Sequence, residues 1–398
     1  VNVLILLYLL IIAPKLLIDR VFKGKRHPGL LQRLGFHIPK GDRPVIWIHA
    51  VSVGEVKAAQ PLFEELRQKE PNAFFLITTT SATGQAEAKR SLSEADAFAY
   101  LPVDLTWIVN RWVKQLNPCR FILVESDFWF NLLTALKKNR TQISLVSGKM
   151  SERSARRFKR FSFFSKKLFS LFDHLCVQNE EQLQRYAPLI ADSSRLHATG
   201  NLKLDIKPQK IEGRLDLPEL VITISCAHPT EEELLLDALQ GGGWFIILAP
   251  RHPERFEAVA ELLIKKNIPF SRWSRPKKEG RVLLVDEMGR LPICYAHSRL
   301  AILGGSFVTH IGGHNVLEPC LYGSPVLFGP HMQGQAELAK RTLDAGAGLQ
   351  AHPSQIRSIV NEFFNDIKKE EAMRKAAHEL IQSSRGSTLH TLNVLLGV

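Results

Sequence analysis

Short apolar runs alternate with helix-length amphipathic stretches along almost the whole chain, and this alternation limits the fold more than any other feature. Six runs lie in the first half (45–51, 74–80, 98–103, 121–126, 143–148 and 174–179) and five in the second (220–226, 244–250, 281–286, 300–306 and 324–329). Each has strand length and is bounded by turn residues, so each is predicted as a strand with a helix following it. Strand–helix–strand repetition builds a parallel sheet covered by helices. The pattern breaks at GNLKLDIKPQKIEGRLDLP (200–218), which is polar and holds Gly and Pro. A length of 398 residues exceeds one ordinary core. The expected fold class is therefore α/β, with two Rossmann-like domains facing across a cleft. In such sheets ligands bind beyond the carboxyl ends of the strands.

Charge is unevenly divided between the halves. Residues 1–206 carry 30 Lys/Arg against 18 Asp/Glu, and the remainder 22 against 21. The first half is thus suited to an anionic partner: nucleic acid, a membrane surface or a phosphorylated substrate. Five scattered cysteines without C-x-x-C spacing read as reduced thiols and give no support to a zinc site. At the N-terminus, VNVLILLYLLIIAPKLLIDR has no charge before Lys15, and Arg20, Lys23, Lys25 and Arg26 follow. Its apolar run is shorter than the roughly 20 residues of a full span, and its positive flank is the cytoplasmic kind. Residues 1–20 are read as an uncleaved membrane anchor or interfacial helix, with a buried core helix as the alternative.

Chemistry-bearing residues gather where strands end. HAVSVGE places Glu55 at the start of a helix, where a carboxylate serves either the helix dipole or catalysis; the dipole would keep it ionised. VESDFWFN puts Glu125 and Asp127 at another strand end, either as a functional pair or with Glu125 tying down backbone amides. GGSFVTHIGGHNVLEP (304–319) pairs Gly304-Gly305 and Gly312-Gly313 ahead of a predicted helix. Such glycines admit backbone N–H groups to an anion, and Glu318, three residues after Asn315, suits ribose hydroxyls. The alternative is a plain glycine-rich turn. APRHPERF points Arg251 and His252 out of a strand end, for a phosphate or carboxylate or for a surface ion pair. In SCAHPTEEE, Thr230 and Glu233 are expected to cap a helix. Finally, 149–172 interleaves eight Lys/Arg with phenylalanines against one acid, Glu152. Phe158, Phe161, Phe164, Leu168 and Phe172 share one face of a predicted amphipathic helix, a membrane-surface pattern with nucleic-acid binding as its rival.

Taken in order, IHAVSVGE, TTTSATG, YLPVD, VESDFWFN, SGKMSERS, TGNLKLD, APRHPERF and GGSFVTHIGGHNVLEP resemble the 3-deoxy-D-manno-octulosonic acid (Kdo) transferases from anchor to last helix. The resemblance implies a GT-B glycosyltransferase: an inverting, metal-independent enzyme without cofactor that moves Kdo from CMP-Kdo to a phosphorylated lipid A precursor. It implies work at the cytoplasmic face of the bacterial inner membrane, with an anionic membrane surface and no nucleic acid as partner. By position, Glu55 matches the family's general base and Glu125 a second required acid. Arg251, His252, Gly304, Gly305, Ser306, Asn315 and Glu318 fall on CMP-binding segments. Ser52, Gly54, Lys149, Arg156, Arg157, Lys159 and Arg160 are expected on the acceptor and membrane side. The implied domains are the anchor (1–20), an acceptor domain (21–205), a CMP-sugar domain (206–375) and a final helix crossing back to the first (376–398). The chain departs from the family at Asp127 and Phe130, where a glutamate and a proline are usual, and at Lys149, where the corner usually carries arginine. Two rival readings are a GT-B enzyme using a UDP-sugar and a non-catalytic protein that binds anionic lipid.

Overall fold

The computed structural model describes Asn2 and residues 29–397, except 209, 210, 212, 214 and 277–279. The anchor expected over 1–20 lies outside the described residues apart from Asn2. Among the described residues no helix is long and apolar enough to cross a membrane.

The chain forms two units, Val1–Ile206 with Gly386–Val398, and Lys207–Arg385. The first contains β1 (Val45–His49), β2 (Phe74–Thr79), β3 (Ala97–Tyr100), β4 (Pro118–Val124), β5 (Gln142–Gly148), β6 (His174–Val177) and β7 (Leu196–Ala198). They form one sheet in the order β3-β2-β1-β4-β5-β6-β7. All pairs are parallel, with Trp47 opposite Leu76 on one side and Phe121 on the other. Every residue of β1 and β2 is buried, as expected of strands covered on both faces. The pleat separates them cleanly: Val45 and Trp47 enter one core layer with Leu76 and Phe121, and Ile46 and Ile48 the other with Phe75, Ile77 and Ile122. Trp47 is fully buried and satisfies its indole N–H on Thr78 Oγ1 at 2.8 Å.

The second unit repeats this plan with β8 (Val221–Ala227), β9 (Phe245–Pro250), β10 (Phe270–Arg272), β11 (Val282–Leu284), β12 (Leu300–Leu303), β13 (Val326–Phe328) and β14 (Gly348–Gln350). Their order is β10-β11-β9-β8-β12-β13-β14, again parallel. The order reverses between β1 and β4 in the first sheet and between β8 and β12 in the second, so each sheet has a switch point where flanking loops diverge and leave room for a ligand. β7, β10 and β14, unread from the sequence, are three-residue strands at sheet edges. Each buries only one of its three residues, so unlike the equally short but fully buried β11 and β13 none reads as an apolar run.

The stretch 376–398 differs from the single helix expected. One helix, Ile367–Ser383, ends in the second unit; Gly386 then adopts φ 112°, and a new helix, Ser387–Leu396, belongs to the first. Glycine tolerates that left-handed turn without a Cβ clash. Buried Asp205 caps the new helix, accepting from Gly386 N at 2.8 Å and from Thr388 N. Leu392 and Leu395 complete the core layer that holds Ile46 and Ile48.

Candidate active site

In the first unit, β1 ends in His49 and the chain passes through Ala50–Ser52 into the helix Val53–Lys69. Ser52 is exposed and makes no side-chain cap bond; Glu55 does that work instead, its Oε2 accepting from Val51 N at 2.5 Å. The carboxylate reaches back over the helix start as in a capping box, one residue further than usual. Gly54 is exposed beside it. Burial, and after it the negative charge of Glu125, raise the Glu55 pKa to about 7, against the Val51 hydrogen bond and Lys203. This corrects the expectation that the helix dipole keeps Glu55 firmly ionised: desolvation and a neighbouring carboxylate outweigh it. A carboxylate poised near neutrality suits proton abstraction better than a fully acidic one.

Glu125 is 2% exposed and sits just past β4 with φ 63°. Its carboxylate is clamped by Lys149, with Nζ 2.7 Å from Oε2, and by Lys203 on Oε1. Burial pushes its pKa up, but the charges of Lys203 and Lys149 prevail and hold it below its ordinary value. Asp127, φ 105°, accepts from Trp129 Nε1 at 2.9 Å and lies 3.6 Å from His49 Nε2. His49 is fully buried and turns Nδ1 onto Thr78, leaving Nε2 without a hydrogen-bond partner. Ser147, at the end of β5, also has positive φ, 52°. Three non-glycine residues in the left-handed region at adjacent strand ends mark backbone held in costly conformations, on the order of 1–3 kcal/mol each.

Lys149 therefore serves Glu125, while Arg156, Arg157, Lys159 and Arg160 stand exposed elsewhere on the unit. The amphipathic helix expected over 149–172 is two helices, Glu152–Arg160 and Ser162–Phe169, broken at Phe161. Ser165 Oγ donates to the carbonyls of Phe158 and Phe161 at the break. Phe158, Leu168 and Phe172 pack inward, whereas Phe161 and Phe164 turn outward with Phe163, which is 88% exposed. Phe164 packs against Phe130 with the rings tilted by 39°, and Lys167 lies over the Phe130 ring.

In the second unit the glycine-rich segment is organised by a residue that sequence reasoning passed over. Glu231 is fully buried; Oε2 accepts from Gly305 N at 2.6 Å and His228 N at 2.9 Å, and Oε1 from Phe307 N at 2.9 Å. Two of the amides that the Gly304-Gly305 pattern offered to an anion are thus occupied by the protein's own carboxylate. Thr230 makes no cap bond and Glu233 pairs with Lys266, so neither forms the expected capping box. Ser306 is buried, donating to Leu303 O and accepting from Gly329 N. Gly304 is needed for close approach: a Cβ there would lie 2.5 Å from Ala227 Cα. Asn315 Oδ1 accepts from Leu317 N and starts a helix of only four residues, Leu317–Cys320, which contains Glu318.

What the second unit leaves available lies beside this segment. Arg251 follows β9, and among the described residues no carboxylate pairs with it. It lines a pocket of about 50 Å³ together with Cys226, Pro250, Phe256, Met288 and Leu291. His252 is exposed next to it, 5.4 Å ring to ring from His228, and the rings of His228 and His314 lie parallel within 8° with centroids 5.2 Å apart. Among the described residues no group of three or more His, Cys, Asp or Glu is arranged to hold a metal.

The 3-deoxy-D-manno-octulosonic-acid transferase (kdotransferase) family model matches residues 29–206. A 3-deoxy-D-manno-octulosonic acid transferase of Chlamydia muridarum is 32% identical to the chain, over 96% of it and 93% of that protein. The chain belongs to the Kdo transferase family. A second member, from Haemophilus influenzae, is 30% identical over 92% of this chain and 90% of its own. Among solved structures, a UDP-GlcNAc 2-epimerase from Neisseria meningitidis has a TM-score of 0.60 at 15% identity, covering 89% of this chain and 100% of that one. That likeness shows the fold alone, a GT-B-like pair of Rossmann-type units. Within this Kdo transferase the motifs fall at the carboxyl ends of both sheets, as the strand pattern expected. Lys203, His49, Glu231, His228 and His314 were missed as site residues, although each lies inside a motif or strand end already quoted. Lys203 had one signal, a lone cation in the polar linker TGNLKLD; Glu231 had none separating it from Glu232 and Glu233.

Proposed function

We propose that this chain transfers Kdo from CMP-Kdo to a lipid A precursor in lipopolysaccharide assembly. Glu55 carries the reading: a carboxylate whose proton affinity is raised to about 7 at the place where the family's base falls. It takes the proton from an acceptor hydroxyl, whose oxygen attacks the anomeric carbon of Kdo. The bond from that carbon to the CMP phosphate breaks, its electron pair leaves with the phosphate, and the configuration inverts. In the second unit, Arg251 and His252 supply donors for the departing phosphate. Glu318 and Asn315 complete the donor contacts assigned by position. Glu125, held by its two lysines, keeps the charge around Glu55 fixed. The purified protein given CMP-Kdo and a tetra-acylated lipid A precursor should yield a Kdo-bearing lipid by mass spectrometry, and should bind CMP in preference to UDP. Preference for UDP with no Kdo product would reject this donor and acceptor.

We further infer that the protein works at the cytoplasmic face of the inner membrane. Exposed Phe161, Phe163 and Phe164, with exposed Arg156, Arg157, Lys159, Arg160, Lys166 and Lys167 on the two helices that meet there, combine insertion with attraction to anionic headgroups. Co-sedimentation with phosphatidylglycerol vesicles should fall several-fold for Phe163→Glu, and fall with rising salt. Unaltered sedimentation of a Phe161→Glu/Phe163→Glu protein would remove this surface from the account.

A further inference from the structure

At the carboxyl end of the second sheet, the rings of His228 and His314 lie parallel within 8°, and their Nε2 atoms are 2.9 Å apart. Two imidazole nitrogens at that distance share one hydrogen, because two lone pairs or two N–H groups would repel. In the neutral pair, one ring thus carries its hydrogen on Nε2 and leaves Nδ1 bare. The other carries its hydrogen on Nδ1. Among the described residues neither Nδ1 has a hydrogen-bond partner. His228 is buried, His314 half-buried and His252 exposed, so the cluster opens to the surface.

The groups around the pair come from three loops. Arg251 and His252 follow β9, His310 follows β12, and Glu231 starts the helix after β8. Burial chiefly, then Arg251 and the other imidazoles, lower His314 to about 4. Burial also lowers His228; Glu231 opposes this, while His252, Arg251 and His310 add to it. Both oxygens of Glu231 are committed to backbone amides. At neutral pH the free pair is therefore uncharged in a positive surrounding. It offers an incoming anion one donor and one repelling lone pair.

We propose that His228, His314 and Arg251 form an oxyanion site for the sugar-nucleotide donor, and that binding draws one proton from solvent onto the bare Nδ1. The uptake turns the lone pair into an N–H, so both rings donate and the pair becomes a monocation; no other bond changes. The proposal rests on the donor reading above. The oxyanion is the phosphate of CMP or the carboxylate of Kdo, which share this chemistry.

Titration calorimetry of the full chain with CMP, with free Kdo and with both, in buffers of low and high ionisation enthalpy, tests it. Heats that depend on buffer should report uptake approaching one proton, and affinity should tighten by up to about tenfold per pH unit as pH falls from 8 to 7. Uptake with CMP places the phosphate at the site, and uptake with Kdo alone places the carboxylate there. A monophosphate itself titrates near pH 6, so uptake must vanish in the His228→Gln/His314→Gln double variant to belong to the rings. Buffer-independent heats for every ligand in the wild type, or uptake that persists in the double variant, would overturn the proposal and leave the donor reading intact. No binding of CMP or Kdo would remove the donor reading and this site with it.

Discussion

Glu55→Gln should give a folded protein whose transfer rate falls by about 10²–10⁴-fold, the usual contribution of a positioned general base. Glutamine keeps the length of the side chain and an oxygen that can accept from Val51 N, so the helix Val53–Lys69 keeps its start. Only the ability to take a proton is lost. The wild-type rate should climb with pH as Glu55 ionises and level off above its value of about 7. A rate flat from pH 5 to 9, or a Gln variant near wild-type activity, sinks the base assignment. Stability should move the other way. The folded value lies above the ordinary one, so Glu55 favours the folded state fully below the unfolded pKa, and that contribution is lost as pH rises through about 7. At pH 8 the Gln variant should therefore be the more stable protein, by an amount on the order of 2 kcal/mol. Denaturant titration of both proteins at pH 5 and pH 8 measures this difference.

Lys203→Met should destabilise the first unit by about 3–5 kcal/mol at pH 7, the cost of leaving a buried carboxylate short of its partner. Glu125 Oε1 faces Lys203, whose side chain is only 14% exposed, so water cannot readily replace it. Lys149 is far more exposed and remains as the single counter-charge. The loss should shrink in acid. The Glu125 pKa is lowered on folding, so its stabilisation is present above the unfolded value and disappears as pH falls through the folded one. Lys203 also draws the Glu55 pKa down. With Lys149 keeping Glu125 ionised, the rise of activity with pH should shift to higher pH in the variant, and Lys203→Arg should restore it. Urea denaturation and a pH–rate profile of the surviving folded protein give the two readouts. Wild-type stability at pH 7 would show that Glu125 does not depend on Lys203.

Strand positions were legible in the sequence because β1 and β2 are buried throughout and β4 and β5 over most of their length, so that each shows a mainly apolar run. Short edge strands such as β10 were not, since only one of its three residues is buried, whereas β11 and β13, equally short, are apolar and buried throughout. Site positions were legible as strand ends, but partnerships were not. Nothing in SCAHPTEEE says that Glu231, and not its neighbours, reaches the amides of Gly305 and Phe307 some 75 residues on. The break at Phe161 was hidden for a similar reason: a helical period runs through it, and only the Ser165 hydrogen bonds and the inward packing of Phe158 and Leu168 interrupt the helix. The proton affinity of Glu55 needed three dimensions as well, because it is raised first by burial and then by Glu125, which lies 70 positions away along the chain.

The return of the chain at Gly386 has a consequence for how the protein is made. Residues Lys207–Arg385 are inserted into the first unit, whose last helix, Ser387–Leu396, supplies Leu392 and Leu395 to a core begun by β1. On the ribosome, that core must wait, with one side uncovered, until the entire inserted unit has been synthesised. The second unit, contiguous in the chain, is free to fold first. The core of the first unit is thus the last to be completed during synthesis, although its strands are the first to be made.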